Sequence, residues 1–160
     1  MKKLRLYLET TIPNYLFDDD KPEKQRDSWR LWNEIKAGEY EVVVGSAVID
    51  EINRFKDENA EKKLSMFNAL RTINYEFFEV NDEVIRLANE YINIGGLKPS
   101  SEADAIHIAT ATLTSCDFIL SWNFAHIVNM RAMVAVDAVN TREVLKQVKI
   151  LSPTIFLGEE

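Results

Sequence analysis

Apolar and polar positions along this chain alternate between a period near two and a period near 3.6 residues, and the switches between them mark its elements. Leu4, Leu6 and Leu8 alternate with Arg5 and Tyr7, predicting a strand that ends at Glu9. Thr10, Thr11 and Pro13 follow with cap hydroxyls and a first-turn proline, the start of a helix. Asp18 to Glu23 is a charged, solvated loop. Trp29, Leu31, Trp32, Ile35 and Lys36 then form an amphipathic helix that stops at Gly38, placed as a C′ glycine, and both tryptophans read as core. Tyr40 to Val44 is a second strand whose valine run suits burial on both faces; Gly45 breaks it and Ser46 caps the next helix, which buries Val48, Ile49, Ile52 and Phe55. Leu64, Phe67, Leu70 and Ile73 mark a further helix, Tyr75 to Val80 a third strand containing Phe77 and Phe78, and Val84, Leu87, Ala88, Tyr91 and Ile92 a helix ending near Gly95 and Gly96.

The stretch PSSEADAIHIATATLTSCDFILSWNFAHIVN, residues 99–129, organises the rest. Ser101 followed three residues later by Asp104 has the form of an N-cap with an acid at N3, where unpaired backbone N–H groups favour negative charge. Ala105, Ile108, Ala109, Thr112 and Leu113 recur at helical spacing, and Ile106 and Ala111 widen the apolar surface, so this helix is packed on more than one side. Phe118, Ile119 and Leu120 form a short strand ending in the polar tip Ser121, Trp122 and Asn123. A helix over 133–145 and a strand over 148–151, closed by Pro153, complete the chain, with no internal repeat. Alternating strands and helices predict an α/β fold of three layers, a mainly parallel sheet between helices joined by right-handed crossovers, with ligands bound beyond the carboxyl ends of the strands.

Composition narrows the class. At 160 residues and 46% hydrophobic content the chain suits a single domain with one core over 1–160. One cysteine, Cys116, excludes an internal disulfide and fits a reducing, cytoplasmic setting. Glu9 interrupts the apolar stretch after Lys2, Lys3 and Arg5 too early for a signal peptide, and no apolar run approaches the roughly 20 residues of a membrane span, so no membrane association is expected. A formal charge of −7 removes any general attraction to phosphate backbones, so contact with nucleic acid requires a local patch.

The acids carry the chemistry. Taken alone, Glu9 reads as a solvated strand end. Glu9 and Asn123, however, terminate two strands, Asp104 begins a helix, and Glu51 lies on a helix after a strand, so all four can reach one edge of the sheet. Asp50 and Glu51 are about 100° apart on their helix, and only one of them can serve the site. Converging carboxylates repel and raise one another's pKa unless a cation compensates, and oxygen donors alone favour Mg²⁺ or Mn²⁺ over zinc. His107, one turn beyond Asp104, reads as a hydrogen-bonded packing histidine, Thr10 as a cap hydroxyl or a support for Glu9, Trp122 as buried beneath the site, and His126 and Asp117 as surface or structural.

LYLETT with Glu9, SAVIDEI with Glu51, EADAIHIATA with Asp104 and FILSWNFAHIVN with Asn123 resemble, in order and spacing, the four successive signatures of the PIN-domain family, and most closely its small VapC-like members. The resemblance implies a flavodoxin-like α/β/α fold, metal-dependent endoribonuclease activity with Mg²⁺ or Mn²⁺ held by Glu9, Glu51, Asp104 and Asn123, RNA as substrate, a homodimer, and an antitoxin protein as partner. Two positions depart from the family pattern: Glu9 stands where Asp is usual, and Asn123 where Asp is common. An extra methylene displaces a carboxylate by about 1.5 Å, against a tolerance of about 0.2 Å for a metal–ligand distance. Asn lends an amide oxygen without charge. These departures motivate the alternative of a PIN-like module that binds RNA or protein without turnover. A response-regulator receiver lacks its adjacent early acids here, a haloacid-dehalogenase phosphatase would need an acid where Thr11 stands, and no glycine-rich phosphate loop is present.

Overall fold

Five short strands alternate with helices in the computed structural model, which describes residues 2–123 and 129–158. In chain order the elements are β1 (Arg5–Leu8), α1 (Thr11–Tyr15), α2 (Pro22–Lys36), β2 (Glu41–Gly45), α3 (Ser46–Asn53), α4 (Ala60–Leu70), β3 (Glu76–Phe78), α5 (Asp82–Asn93), α6 (Glu102–Leu113), β4 (Phe118–Leu120), α7 (Met130–Arg142), β5 (Lys149–Leu151) and α8 (Pro153–Leu157). The strands form one sheet in the order β3-β2-β1-β4-β5, every pair parallel, with Tyr7 opposite Val43 on one side and Ile119 on the other. Helices α1, α2 and α8 pack together while α5 runs along α6 and touches α7, giving the three-layer α/β/α arrangement expected from the alternation. Leu6, Tyr7 and Leu8 in β1 and Val42, Val43 and Val44 in β2 are buried, as a central parallel strand covered on both faces requires. No helix among the described residues is long and apolar enough to cross a membrane.

Several local expectations are corrected. Helix α2 starts at Pro22 rather than beyond the acidic loop, because proline fits the first helical position, where its missing N–H costs nothing. Pro153 likewise opens a helix instead of closing the chain, with Ser152 Oγ accepting from Ile155 N at 3.2 Å. Ser46 does not cap α3; it is the first helical residue, and its hydroxyl accepts from Val80 N at 2.9 Å, tying α3 to the segment after β3. Ser101 occupies the N-cap position of α6, but it closes a 3₁₀ turn over Pro99–Ser101, and in that backbone conformation its side chain makes no capping bond. Strand β3 spans only three residues at the sheet edge and leaves Phe77 half exposed. On α4 it is Met66, Ala69 and Leu70 that face inward, whereas Leu64 is exposed.

Candidate functional site

The strand order reverses between β1 and β4, and the crevice at such a switch point is where open parallel sheets bind ligands. Glu9 follows β1 directly and Ser121–Asn123 follow β4 directly. The two ends are joined: Glu9 N donates to Leu120 O at 3.2 Å, and Trp122 N donates to Thr11 Oγ1 at 2.8 Å. Alternation along β1 puts Tyr7 and Glu9 on one face of the sheet. Gly45 at the end of β2 lets that face approach α6, because a Cβ there would stand 2.8 Å from the Tyr7 hydroxyl and 3.3 Å from Thr110 Cγ2.

Three of the four predicted site residues fall into two hydrogen-bonded groups, and Glu9 joins the inner one through charge alone. In the inner one, His107 is 1% exposed and bridges two elements: its Nδ1 shares a 2.7 Å hydrogen bond with the Tyr7 hydroxyl, and its Nε2 bonds Glu51 Oε1. Glu9, 3% exposed, is linked to this group by its electrostatic interaction with His107 and Glu51, and its Oε1 accepts from Thr11 N at 2.5 Å. In the outer group Asn123 Nδ2 donates to Asp104 Oδ1 at 3.2 Å, while Asn123 N donates to Ser121 Oγ at 2.9 Å. Asp104 is at N3 of α6 and His107 three residues on, so one helix face carries both.

Electrostatics link the groups. Burial alone would lower the pKa of His107, but the hydrogen bond and charge of Glu51, with the charges of Glu9 and Asp104 behind it, raise it above the ordinary imidazole value. Glu51 moves the opposite way: burial would raise it, and His107, Thr10 and the charge of Arg54 together bring it below the usual carboxylate range. Burial raises Glu9, with the like charge of Glu51 adding to it against the pull of His107 and Thr11. Burial and the neighbouring negative charges of Glu9 and Glu51 keep the Tyr7 phenol protonated.

The donors fit a hard dication in kind, since three carboxylates, an amide oxygen and the Thr10 hydroxyl are all oxygen ligands. Thr10 Oγ1 is buried without a hydrogen-bond partner of good geometry, although it lies close enough to Glu51 to help hold that carboxylate ionised. The grouping is different from a cage. Among the described residues no three His, Cys, Asp or Glu side chains come together as a set that could hold a metal ion. The protein's own groups meet each acid: the His107 imidazole at Glu51, the Asn123 amide at Asp104 and the Thr11 N–H at Glu9.

Other expectations resolve here. Asp50 is exposed and Glu51 is the acid that faces inward. His107 is a buried, hydrogen-bonded histidine as expected, but its partner is a site acid; the i, i+3 spacing from Asp104 was the available signal. Tyr7 was missed, although its place two residues before Glu9 put it on the same face. Thr10 makes no cap bond, and it is Thr11 that holds Glu9. Trp122 is 6% exposed, its Nε1 donating to Ser28 Oγ at 2.8 Å, and it packs edge-on to Tyr15. Asp117 is structural, accepting from Arg5 N at 2.8 Å and pairing with Lys146. His126 lies outside the described residues.

No family model matches this sequence, and no curated protein is similar to it in sequence. Among solved structures, a chain of VapBC2 from Rickettsia felis, crystallised bound to a DNA fragment from its promoter, superposes with a TM-score of 0.59 over 93% of this chain and 98% of that one. The chain has a PIN-like fold. At 11% identity the likeness is one of fold, and it extends over nearly the whole chain. In this fold Glu9 and Asn123 directly follow β1 and β4, the two strands that flank the switch point.

Proposed function

We propose that this chain is an endoribonuclease that hydrolyses RNA phosphodiesters with Mg²⁺ or Mn²⁺, acting in the cytoplasm as the toxin of a toxin–antitoxin pair, as a homodimer whose activity an antitoxin protein restrains. The observation that carries the reading is the placement of Glu9 and Asn123 directly after β1 and β4 at the switch point, with Asp104 and Glu51 in one electrostatic unit around His107. The PIN-like fold supports it, as does the neighbour from a VapBC2 complex.

Glu9, Glu51, Asp104 and Asn123 would hold the ion, which when bound supplies a Lewis acid and lowers the pKa of water. The remaining work belongs to the chain. His107 fixes Glu51 from behind and Thr11 N fixes Glu9, so both carboxylates are oriented before substrate arrives. Asn123 orients Asp104 through its amide N–H. Burial raises the pKa of Glu9 and the like charge of Glu51 adds to it, so positive charge supplied beside this carboxylate would lower it again. The test compares wild type with Asp104→Asn for Mn²⁺-dependent cleavage of single-stranded RNA. Loss of cleavage in the variant is expected, and equal activity in both removes the centre.

One observation favours a second reading, that of a PIN-like module that binds RNA or protein without turnover: the acids are engaged in pairs by His107 and Asn123 instead of forming a three-acid cluster. Cleavage that appears only on Glu9→Asp would select this reading. Robust wild-type activity rejects it.

A further inference from the structure

A cavity of about 380 Å³ opens beside the start of α6, walled by the loop after α5 and by the first turn of α7. Its lining includes Gly96, Lys98, Ser101, Asn129 and Arg131. Gly96 makes this juxtaposition possible, since a Cβ there would lie 1.9 Å from the Cβ of Ala135 and 3.1 Å from Arg131 O; the loop therefore rests directly on α7 and holds Lys98 near Arg131. In a chain of net charge −7 these two exposed cations form no salt bridge among the described residues. Two helix N-termini, those of α6 and α7, meet the same space through Ser101 and Asn129, and both favour negative charge. Ser101 is 5% exposed, lines the cavity and makes no capping bond to α6.

Ser101 precedes Asp104 by three helical steps, about 5 Å of rise. We infer that the cavity is a subsite for a backbone phosphate of single-stranded RNA next to the phosphate under attack, an assignment that rests on the ribonuclease reading. Lys98 and Arg131 supply charge, and the Ser101 hydroxyl with the α6 N-terminus supplies hydrogen-bond donors. This is the local patch that the acidity of the whole chain demands: the acid centre repels the strand, and the neighbouring cavity holds it in register.

The test measures binding, not cleavage. The affinity of the full chain for a fluorescein-labelled single-stranded RNA is followed by anisotropy across a salt series in EDTA, for wild type, the double variant Lys98→Gln/Arg131→Gln, Ser101→Ala and the control Lys149→Gln. Lys149 begins β5 and so lies at the opposite edge of the sheet. The double variant is expected to bind about tenfold more weakly near 0.15 M salt, with the slope of log K against log salt reduced by about 1.4, or ~0.7 for each lost phosphate contact. Ser101→Ala weakens binding several-fold with the slope unchanged, since it removes a donor without charge. Lys149→Gln behaves as wild type. A double variant indistinguishable from wild type, or a control that falls as far as the double variant, overturns the subsite and leaves the ribonuclease reading standing. Absence of RNA binding by wild type overturns both.

Discussion

Replacing His107 with alanine tests whether the inner group is a unit. The side chain is 1% exposed and holds Glu51 on one side and the Tyr7 hydroxyl, at 2.7 Å, on the other. Its loss leaves the like charges of Glu51 and Glu9 without the imidazole that offsets both, and opens a hole the size of a ring beside Tyr7 of β1. Removing one partner of a buried ion pair costs about 3–5 kcal/mol. Glu51 keeps 28% of its side chain exposed, so the low end, about 3 kcal/mol, is expected. For a chain of this length that corresponds to a fall in Tm of roughly 6–12 °C. The sign with pH follows from the direction of the shift. His107 is raised above its unfolded value of about 6.5, so its stabilisation is complete below that pH and is lost as pH rises through the folded pKa. Urea unfolding in EDTA from pH 6 to 9 should show the gap between wild type and variant widest at pH 6 and narrowing upward. Adding Glu51→Gln completes a double-mutant cycle, and a coupling of about 1 kcal/mol or more is expected. A loss below about 1 kcal/mol at pH 6, or a gap that does not change with pH, refutes the reasoning.

Gly45→Ala should act on the same unit, because its Cβ would stand 2.8 Å from the Tyr7 hydroxyl; a loss of about 1–3 kcal/mol in denaturant unfolding is expected. Gly96→Ala should cost a similar amount, about 1–3 kcal/mol, and Ala135→Gly in the same chain should restore part of it, since the clash is with Ala135. Asp27, buried apart from its pairs with Arg26 and Arg30, accepts from Thr154 Oγ1 at 2.6 Å and anchors α8; burial would raise its pKa, but these partners bring it below the usual aspartate range. Asp27→Asn is therefore expected to lose about 1–2 kcal/mol at neutral pH. The loss should vanish as pH falls through the folded pKa of Asp27, because the stabilisation exists only above it. Trp122→Phe leaves Ser28 Oγ without its 2.8 Å donor and should lower stability by about 1 kcal/mol, read by thermal unfolding.

Much of this was legible one residue at a time. Alternation at Leu4–Leu8, short apolar runs at the other strands and the 3.6-residue spacing of most helices named these elements, because burial of a face or stripe is a local constraint on residue type. The ends of elements were less legible: Pro22 and Pro153 both begin helices, and whether a proline starts or stops one depends on the backbone before it. Leu64 matched helical spacing and is exposed, since the neighbour that α4 covers is chosen by the fold.

The residues alone determined that Glu9, Glu51, Asp104 and Asn123 belong to one edge of a parallel sheet, because strand ends and helix starts in such a sheet lie on that edge whatever the strand order. Only the tertiary structure decided which groups answer them. His107 meets Glu51 across 56 positions and Tyr7 across 100, and Asn123 meets Asp104 across 19. Contacts of that separation leave no local periodicity to read. They follow from strand order and from the closeness that Gly45 permits between β1 and α6, and so the partners of the acids were settled by packing alone.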